Sequence, residues 1–253
     1  MRRSIALLAL ALTACGQPEA PPPLPTPPAQ VVAAPWFICD ALNAPVLLVF
    51  GAERNGVAEV AQYEKPSGAI QQRTSYTLGA GDGAAGSVYR ALLQNGAEVG
   101  HVRQINSGML ENPASAYTPV YSSVRIGERD LSCRWMPRTR LMGFTGRRTI
   151  VVSEDADGDL LYHSYDFASA AEAQAIDVSE NGRTSTFSLE ARDGAEAMSA
   201  EGSRYTFQAD AETEIVVTAS SDGTGRVEVR RQGPNPVQTE DLIAYVQGNA
   251  ATD

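Results

Sequence analysis

Imidazole, thiol and ammonium groups are all scarce in this chain of 253 residues, which carries two histidines, three cysteines and one lysine, Lys65. With only His101 and His163 available, few mechanisms that use imidazole remain. Neither Gly-x-Ser-x-Gly nor His-Glu-x-x-His occurs, so a hydrolase nucleophile elbow and a zinc-protease helix are excluded. The absence of Cys-x-x-Cys removes zinc ribbons and thioredoxin-type redox sites. No apolar run approaches the ~20 residues that span a bilayer as a helix. Positive charge is also short: the formal net charge is −10, so the overall field opposes binding to nucleic acid or to an anionic lipid surface.

The first residues follow another pattern. Arg2 and Arg3 precede an apolar stretch from Ile5 to Thr13, then small residues and Cys15, the order of a cleavable export signal. Leu12-Thr13-Ala14-Cys15 resembles the lipobox of bacterial lipoprotein precursors. That resemblance implies cleavage after residue 14, diacylglycerol on Cys15 and attachment to a membrane through the lipid. Loss of Arg2 and Arg3 takes the formal charge from −10 to −12. Gly16 and Gln17 follow Cys15, with no Asp next to it, which in lipoproteins like those of Gram-negative bacteria favours an outer-membrane anchor facing the periplasm.

Residues 15–35 hold the lipidated Cys15 and a proline-rich stretch with Pro18, Pro21, Pro22, Pro23, Pro25, Pro27, Pro28 and Pro35. Proline fixes φ and donates no N–H, so this composition reads as an extended spacer. In an oxidising compartment the two remaining cysteines, Cys39 and Cys133, have one pairing open to them, a disulfide; two buried thiols are the competing reading.

From Trp36 onward, short alternating apolar and polar runs punctuated by Gly, Asn and Asp predict an all-β fold of antiparallel strands and hairpins, as a sandwich or a barrel. Strands are expected at Trp36–Cys39, Val46–Gly51, Ala58–Glu64, Gln71–Leu78, Val88–Gln94, Glu98–Ile105, Tyr121–Ile126 and Arg129–Trp135. A second set follows at Thr149–Ser153, Leu160–Phe167, Ala175–Val178, Thr184–Arg192, Arg204–Asp210, Glu214–Ala219 and Arg226–Arg231. Asn95-Gly96 is the strongest hairpin signal, because both residues tolerate positive φ. Turns are also expected at Asp155–Asp159, Glu180-Asn181-Gly182, Asp193-Gly194 and Ser221-Asp222-Gly223. Helix is limited to one or two short pieces: Thr239 could cap one running to Gly248, and Ser87–Gln94 is an alternative helix ending at Gly96. Pro137 to Phe144 reads as a boundary between an N-terminal unit, 36–140, and a C-terminal one, 141–253, with one continuous two-sheet fold as the alternative.

Three constellations bear on chemistry. Gly81-Asp82-Gly83-Ala84-Ala85-Gly86 matches Gly-x-Gly-x-x-Gly, but the dinucleotide fingerprint needs a βαβ unit, so a loop is expected. Asp155, Asp157 and Asp159 alternate around Gly158, an arrangement that suits a hairpin turn and also offers oxygen ligands for weak calcium binding. Arg134, Arg138, Arg140, Arg147 and Arg148 form the one concentrated basic segment, a candidate anion site if they are not consumed by internal ion pairs. No cofactor beyond that calcium is implied, and His101 and His163 read as structural. A carboxylate-dependent hydrolase would need two acids at a set separation across a cleft, which sequence spacing does not reveal.

Trp36-Phe37-Ile38-Cys39-Asp40, Ala85-Gly86-Ser87-Val88-Tyr89, Asn95-Gly96-Ala97-Glu98 and the late Cys133 resemble the small β-barrel lipoprotein inhibitors of c-type lysozyme. In that family a Ser-Gly-x-x-Tyr segment and a Lys-Gly segment support inhibition; here Ala85-Gly86 and Asn95-Gly96 stand in their places, and no functional residue transfers. Residues 136–253 lie beyond this resemblance. The expectation is a non-catalytic, lipid-anchored binding or envelope-maintenance protein with a protein or glycan partner; lysozyme inhibition and carboxylate-dependent hydrolysis are the alternatives. Replacing Cys15 with Ala should move the expressed protein from the detergent phase to the aqueous phase on phase partitioning, and unchanged partitioning would remove the anchor.

Overall fold

The computed structural model describes residues 35–65, 67–170, 187–233 and 236–249. The expected export signal, Cys15 and the expected spacer as far as residue 34 lie outside these residues. So do the strand expected at Ala175–Val178, the Glu180-Asn181-Gly182 turn and the start of the Thr184–Arg192 strand.

The chain is all-β, in two antiparallel sheets that each follow sequence order. The first contains β1 (Pro35–Asp40), β2 (Val46–Gly51), β3 (Val57–Glu64), β4 (Ile70–Ala84), β5 (Ser87–Gln94), β6 (Ala97–Ile105), β7 (Val120–Ile126) and β8 (Arg129–Ser132). The second contains β9 (Thr139–Phe144), β10 (Arg148–Glu154), β11 (Leu160–Asp166), β12 (Leu189–Ser199), β13 (Gly202–Asp210), β14 (Thr213–Ser220), β15 (Gly225–Arg231), β16 (Val237–Asp241) and β17 (Ala244–Gln247). Among the described residues, helix amounts to two 3-10 turns, Ser107–Met109 and Pro113–Ser115, and one α-turn, Phe167–Ala170.

Local chemistry explains the hairpins. Asn55-Gly56, Ala85-Gly86 and Asn95-Gly96 all have positive φ at both positions, as a two-residue turn matched to strand twist requires. Ser87–Gln94 is the strand β5 and not the alternative helix. Asp155-Ala156-Asp157-Gly158-Asp159 joins β10 to β11, and Ser221-Asp222-Gly223 joins β14 to β15, as expected.

The first sheet closes nearly into a barrel. Ala41 bridges Cys133, the Leu42 N–H donates to the Ser132 carbonyl at 2.8 Å, and the Arg134 N–H donates to the Asp40 carbonyl at 2.9 Å. The Cys39–Cys133 disulfide fixes the same closure, with Cα atoms 4.7 Å apart and a sequence separation of 94. Inside are Phe37, Cys39, Leu48, Phe50, Val60, Tyr76, Leu92, Val102, Val124 and Leu131.

The second sheet curls as a half-barrel around Leu141, Ile150, Val152, Tyr162, Tyr205, Phe207, Ile215, Val217 and Leu242. One segment spans its edges: β16 pairs with β15, β17 pairs with β9, and between them Leu242 N–H donates to Gly225 O and Ile243 N–H to Phe144 O, both at 2.8 Å.

Four expectations are corrected. The helix from Thr239 to Gly248 is instead β16 and β17: Val237, Thr239, Tyr245 and Val246 suit a pleated surface, and two unpaired edges outweigh a single capping signal. Gly81 to Ala84 extend β4, and only Ala85-Gly86 form the turn, so the Gly-x-Gly-x-x-Gly stretch is not a loop. Asp193-Gly194 is not a hairpin turn. Asp193 takes φ 55° within β12, next to the register shift against β11, and Gly194 lies against the Phe207 ring where a Cβ would collide. The sheets divide between Ser132 and Thr139, so β9 occupies most of the expected boundary at Pro137 to Phe144.

The sheets share a third core. Ile38, Leu47, Val49, Ala61 and Tyr63 on the outside of the barrel pack against Met142, Phe144, Val151, Tyr165, Phe167 and Ala244 of the half-barrel. β2 is therefore buried on both faces along its length, with about 1.5–3 kcal/mol for each large apolar side chain withdrawn from water. Reducing Cys39–Cys133 should lower unfolding free energy by about 2–5 kcal/mol, read as a fall in the urea midpoint with and without reductant; an unchanged midpoint would dissociate the bridge from stability.

Candidate functional site

Ionisable groups were the leading sequence candidates, and the fold consumes most of them. Arg134 donates from Nε to Asp40 Oδ2 at 2.7 Å, and its guanidinium lies 3.5 Å from the centroid of the Tyr165 ring. Lys65 pairs with Asp40 Oδ1 at 2.6 Å and donates to the Ala41 carbonyl. All three charged side chains are buried, with 2% exposure at Asp40, 6% at Lys65 and 9% at Arg134. Burial alone would raise the Asp40 carboxyl, but Arg134 and Lys65 outweigh it and hold it below the usual carboxylate value.

The remaining arginines diverge. Arg138 donates to the Asp155 carbonyl at 2.7 Å. Arg140 lies between Glu154, at 3.5 Å, and Glu196, at 2.6 Å. Arg148 joins Asp166, at 3.4 Å, to Glu240, at 3.0 Å. Arg147 is 74% exposed, with Glu240 at 4.0 Å. The five arginines thus do not converge on one point: four of them serve internal partners, Arg147 is largely exposed, and Arg147 and Arg148 share Glu240.

The acidic loop takes the hairpin-turn form. Asp155 Oδ1 accepts from the backbone N–H groups of Asp157, at 2.9 Å, and Asp159, at 3.0 Å, which uses it to shape the turn. Among the described residues no three His, Cys, Asp or Glu side chains gather as a metal site, so Asp155, Asp157 and Asp159 are not assembled for calcium. The histidines are also apart: His101 meets the Tyr89 ring edge-on at 5.3 Å, and buried His163 contacts Glu190 through Nε2 at 2.9 Å.

Two features carry the geometry of a recognition site instead. The first is the β4–β5 hairpin. β3 pairs with β4 only from Ile70 to Thr77, and the Leu78 N–H still donates to the Gly56 carbonyl at 2.7 Å; beyond it Gly79 to Ala84 overhang β3, with Gly81 to Ala84 in register with β5 alone after a register shift. Alternate residues of this overhang direct backbone N–H and C=O groups to an uncovered edge. Gly79, Gly81 and Gly83 leave that edge without large side chains. At the tip Ala85 holds φ 45°, a left-handed conformation costing about 1 kcal/mol or more outside glycine. Gly86 sits beneath Met109, and Met109 and Val88 expose 66% and 37% of their surface.

The second is a cavity of about 340 Å3 at the seam, lined by the start of β1, the start of β7, the Arg134–Met136 connection, the β14–β15 turn and β17. Sequence reading missed it because its walls come from both sheets. No family model matches this sequence, and no curated protein is similar to it.

Asp40 supplies a pH test. Its depressed carboxyl stabilises the fold above the unfolded value and loses that contribution as pH falls through the folded one. Urea unfolding between about pH 6 and pH 2 should therefore show wild-type stability falling with acid. Asp40→Asn should cost about 3–5 kcal/mol at neutral pH and flatten the acid limb; equal slopes for both proteins would contradict the assignment.

Proposed function

We propose that this chain is a non-catalytic binding protein of the bacterial cell envelope, tethered by a lipid on Cys15, whose recognition element is the overhanging β4–β5 hairpin. The observation that carries this reading is the uncovered, glycine-rich edge of β4 beside exposed Val88 and Met109. Native proteins ordinarily blunt such edges with charge, proline, a bulge or a covering element; here Asp82 and the register shift after Leu78 are the devices present, and no strand or loop covers the edge among the described residues. Here an extended partner segment would gain main-chain hydrogen bonds along Ala80 to Ala84 without steric opposition, a common mode of peptide recognition. The left-handed Ala85 fits the same reading, since local backbone strain concentrates where a tip must hold one conformation for binding.

A second reading makes the partner a c-type lysozyme. It is favoured by the position of Ala85-Gly86-Ser87-Val88-Tyr89: the segment resembling the inhibitory stretch forms the tip of this hairpin, on an eight-stranded sheet closed by Cys39–Cys133. Within it, Ser87 Oγ accepts from Arg103 Nε at 3.0 Å and Tyr89 lies under the Arg103 guanidinium at 5.9 Å, so both are held by internal contacts.

Gly83→Arg tests both readings. A Cβ at Gly83 meets nothing within 4 Å, so the fold should tolerate the change while charge and bulk obstruct the edge. Proximity labelling from the anchored protein should recover a partner that Gly83→Arg loses at unchanged melting temperature, and equal recovery would reject the hairpin as the recognition element. Stoichiometric slowing of c-type lysozyme by wild type but not by Gly83→Arg would support the second reading; no slowing would set it aside.

A further inference from the structure

The seam cavity is a second place where a ligand would fit, formed by different residues from those of the hairpin. Its volume, about 340 Å3, is at the small end of ligand sites, which suits one compact molecule and not a two-chain lipid. Trp36, Phe37, Tyr121, Met142, Tyr245 and Val246 give it a largely apolar wall. That wall is braced before any ligand arrives. The Trp36 ring meets Phe37 edge-on at 5.2 Å and Tyr121 at 5.3 Å. The Tyr245 hydroxyl is held by the Ser220 carbonyl, at 2.7 Å, and the Thr224 carbonyl, at 3.2 Å.

Charge in the lining has one sign. Arg134 is the one charged side chain there, and no Asp or Glu lines the cavity among the described residues. Asp40 does not cancel it, because the same carboxylate also holds Lys65, at 2.6 Å on Oδ1 against 2.7 Å for Arg134 on Oδ2. Two buried cations thus share one anion, which leaves one positive charge in excess at the cavity wall. The Tyr165 ring on the guanidinium, at 3.5 Å, steadies the cation but brings no counter-charge. A buried charge is costly until it is paired, so this wall favours an incoming anion. A neutral ligand would leave the excess unanswered, and a phosphate monoester, with nearly two charges at neutral pH, would overshoot it. We propose that the seam cavity binds a small monocarboxylic acid with an apolar body, its carboxylate set beside Arg134 and its hydrocarbon against the aromatic wall.

Both tryptophans of the chain, Trp36 and Trp135, line the cavity and report on it. The Cys15→Ala chain, titrated without detergent, should show a saturable shift of indole emission and shielding from acrylamide with octanoate, with 4-phenylbutyrate or with both. 1-Octanol and 4-phenylbutanol keep the apolar bodies and remove the charge, and each should bind about tenfold more weakly than its acid. Arg134→Gln leaves Asp40 paired with Lys65 alone, so the buried charges balance; it should bring the acid down to the affinity of its alcohol and leave the alcohol unchanged. The proposal is overturned if neither acid changes emission or shielding at millimolar concentration, if the alcohols bind as tightly as the acids, or if Arg134→Gln keeps the preference for the acid. Displacement of the acid by a peptide of residues 18–34 would assign the cavity to the chain's own proline-rich stretch and overturn it equally. Should Arg134→Gln fail to fold, the ratio of acid to alcohol with Arg134 in place decides the matter alone. Because Gly83→Arg leaves the cavity intact, it should bind the acid unchanged, so failure here and failure of the hairpin reading are read separately.

Discussion

The closure of the first sheet at Cys39 to Ala41 against Cys133 and Arg134 is the constraint on which the rest depends. A meander of eight strands leaves two open edges, and here a disulfide, a backbone bridge and a buried ion pair join Cys39 to Ala41 on one side with Cys133 and Arg134 on the other, while Lys65, just after β3, completes the ion triad. The components act differently. The disulfide limits the unfolded chain, by about 4–5 kcal/mol on the chain-entropy model for a loop of this length. The Asp40, Lys65 and Arg134 triad adds little net energy, since desolvation offsets attraction, yet removing one member leaves uncompensated buried charge. The bridge therefore limits how far the edges can part, and the triad penalises pairings that leave Asp40 without its cations.

Arg134 also extends this closure to the second sheet. Its guanidinium pairs with Asp40 of the barrel and stacks on Tyr165 of the half-barrel, so the residue that completes one unit begins the interface with the other. A planar, delocalised cation suits a buried position between carboxylate and ring better than an ammonium would. Around it lies the third core, in which β2 and β10 each lose both faces to packing. Tyr117 on the approach to β7 donates to Glu154 of β10 at 2.7 Å, which ties the seam at a further point.

Much of this was legible in the sequence. Period-two alternation and Asn-Gly turns located nearly every strand of the first sheet, because those signals are local and the strands have one buried face. The uninterrupted run Val46-Leu47-Leu48-Val49-Phe50 also carried information, since a strand without polar alternation is buried on both sides; read that way, with Ile150-Val151-Val152, it would have indicated a shared seam. The Thr239 to Gly248 segment misled because a helix cap is visible locally, whereas β16 is recruited by the neighbouring β15 and β17 by the edge of β9, about a hundred residues earlier in the chain. The arginine segment left two readings open for the same reason. Charge density between 134 and 148 is a sequence property, but the carboxylates that consume it, Asp40, Glu154, Glu196 and Glu240, arrive from elsewhere in the fold.

Strand direction places the hairpin edge and the seam cavity at one end of the first sheet. Successive antiparallel strands alternate, so the β4–β5 turn, the start of β7 and the start of β1 belong to one end of the first sheet. The start of β7 and the start of β1 are also walls of the seam cavity. Pro35 opens β1 at that same end. In the proposed function, a lipid tether ahead of Pro35 would bring the glycine-rich hairpin edge and the cavity mouth toward the attachment side, so the proline-rich stretch would select the partner's location while the hairpin selects its chemistry.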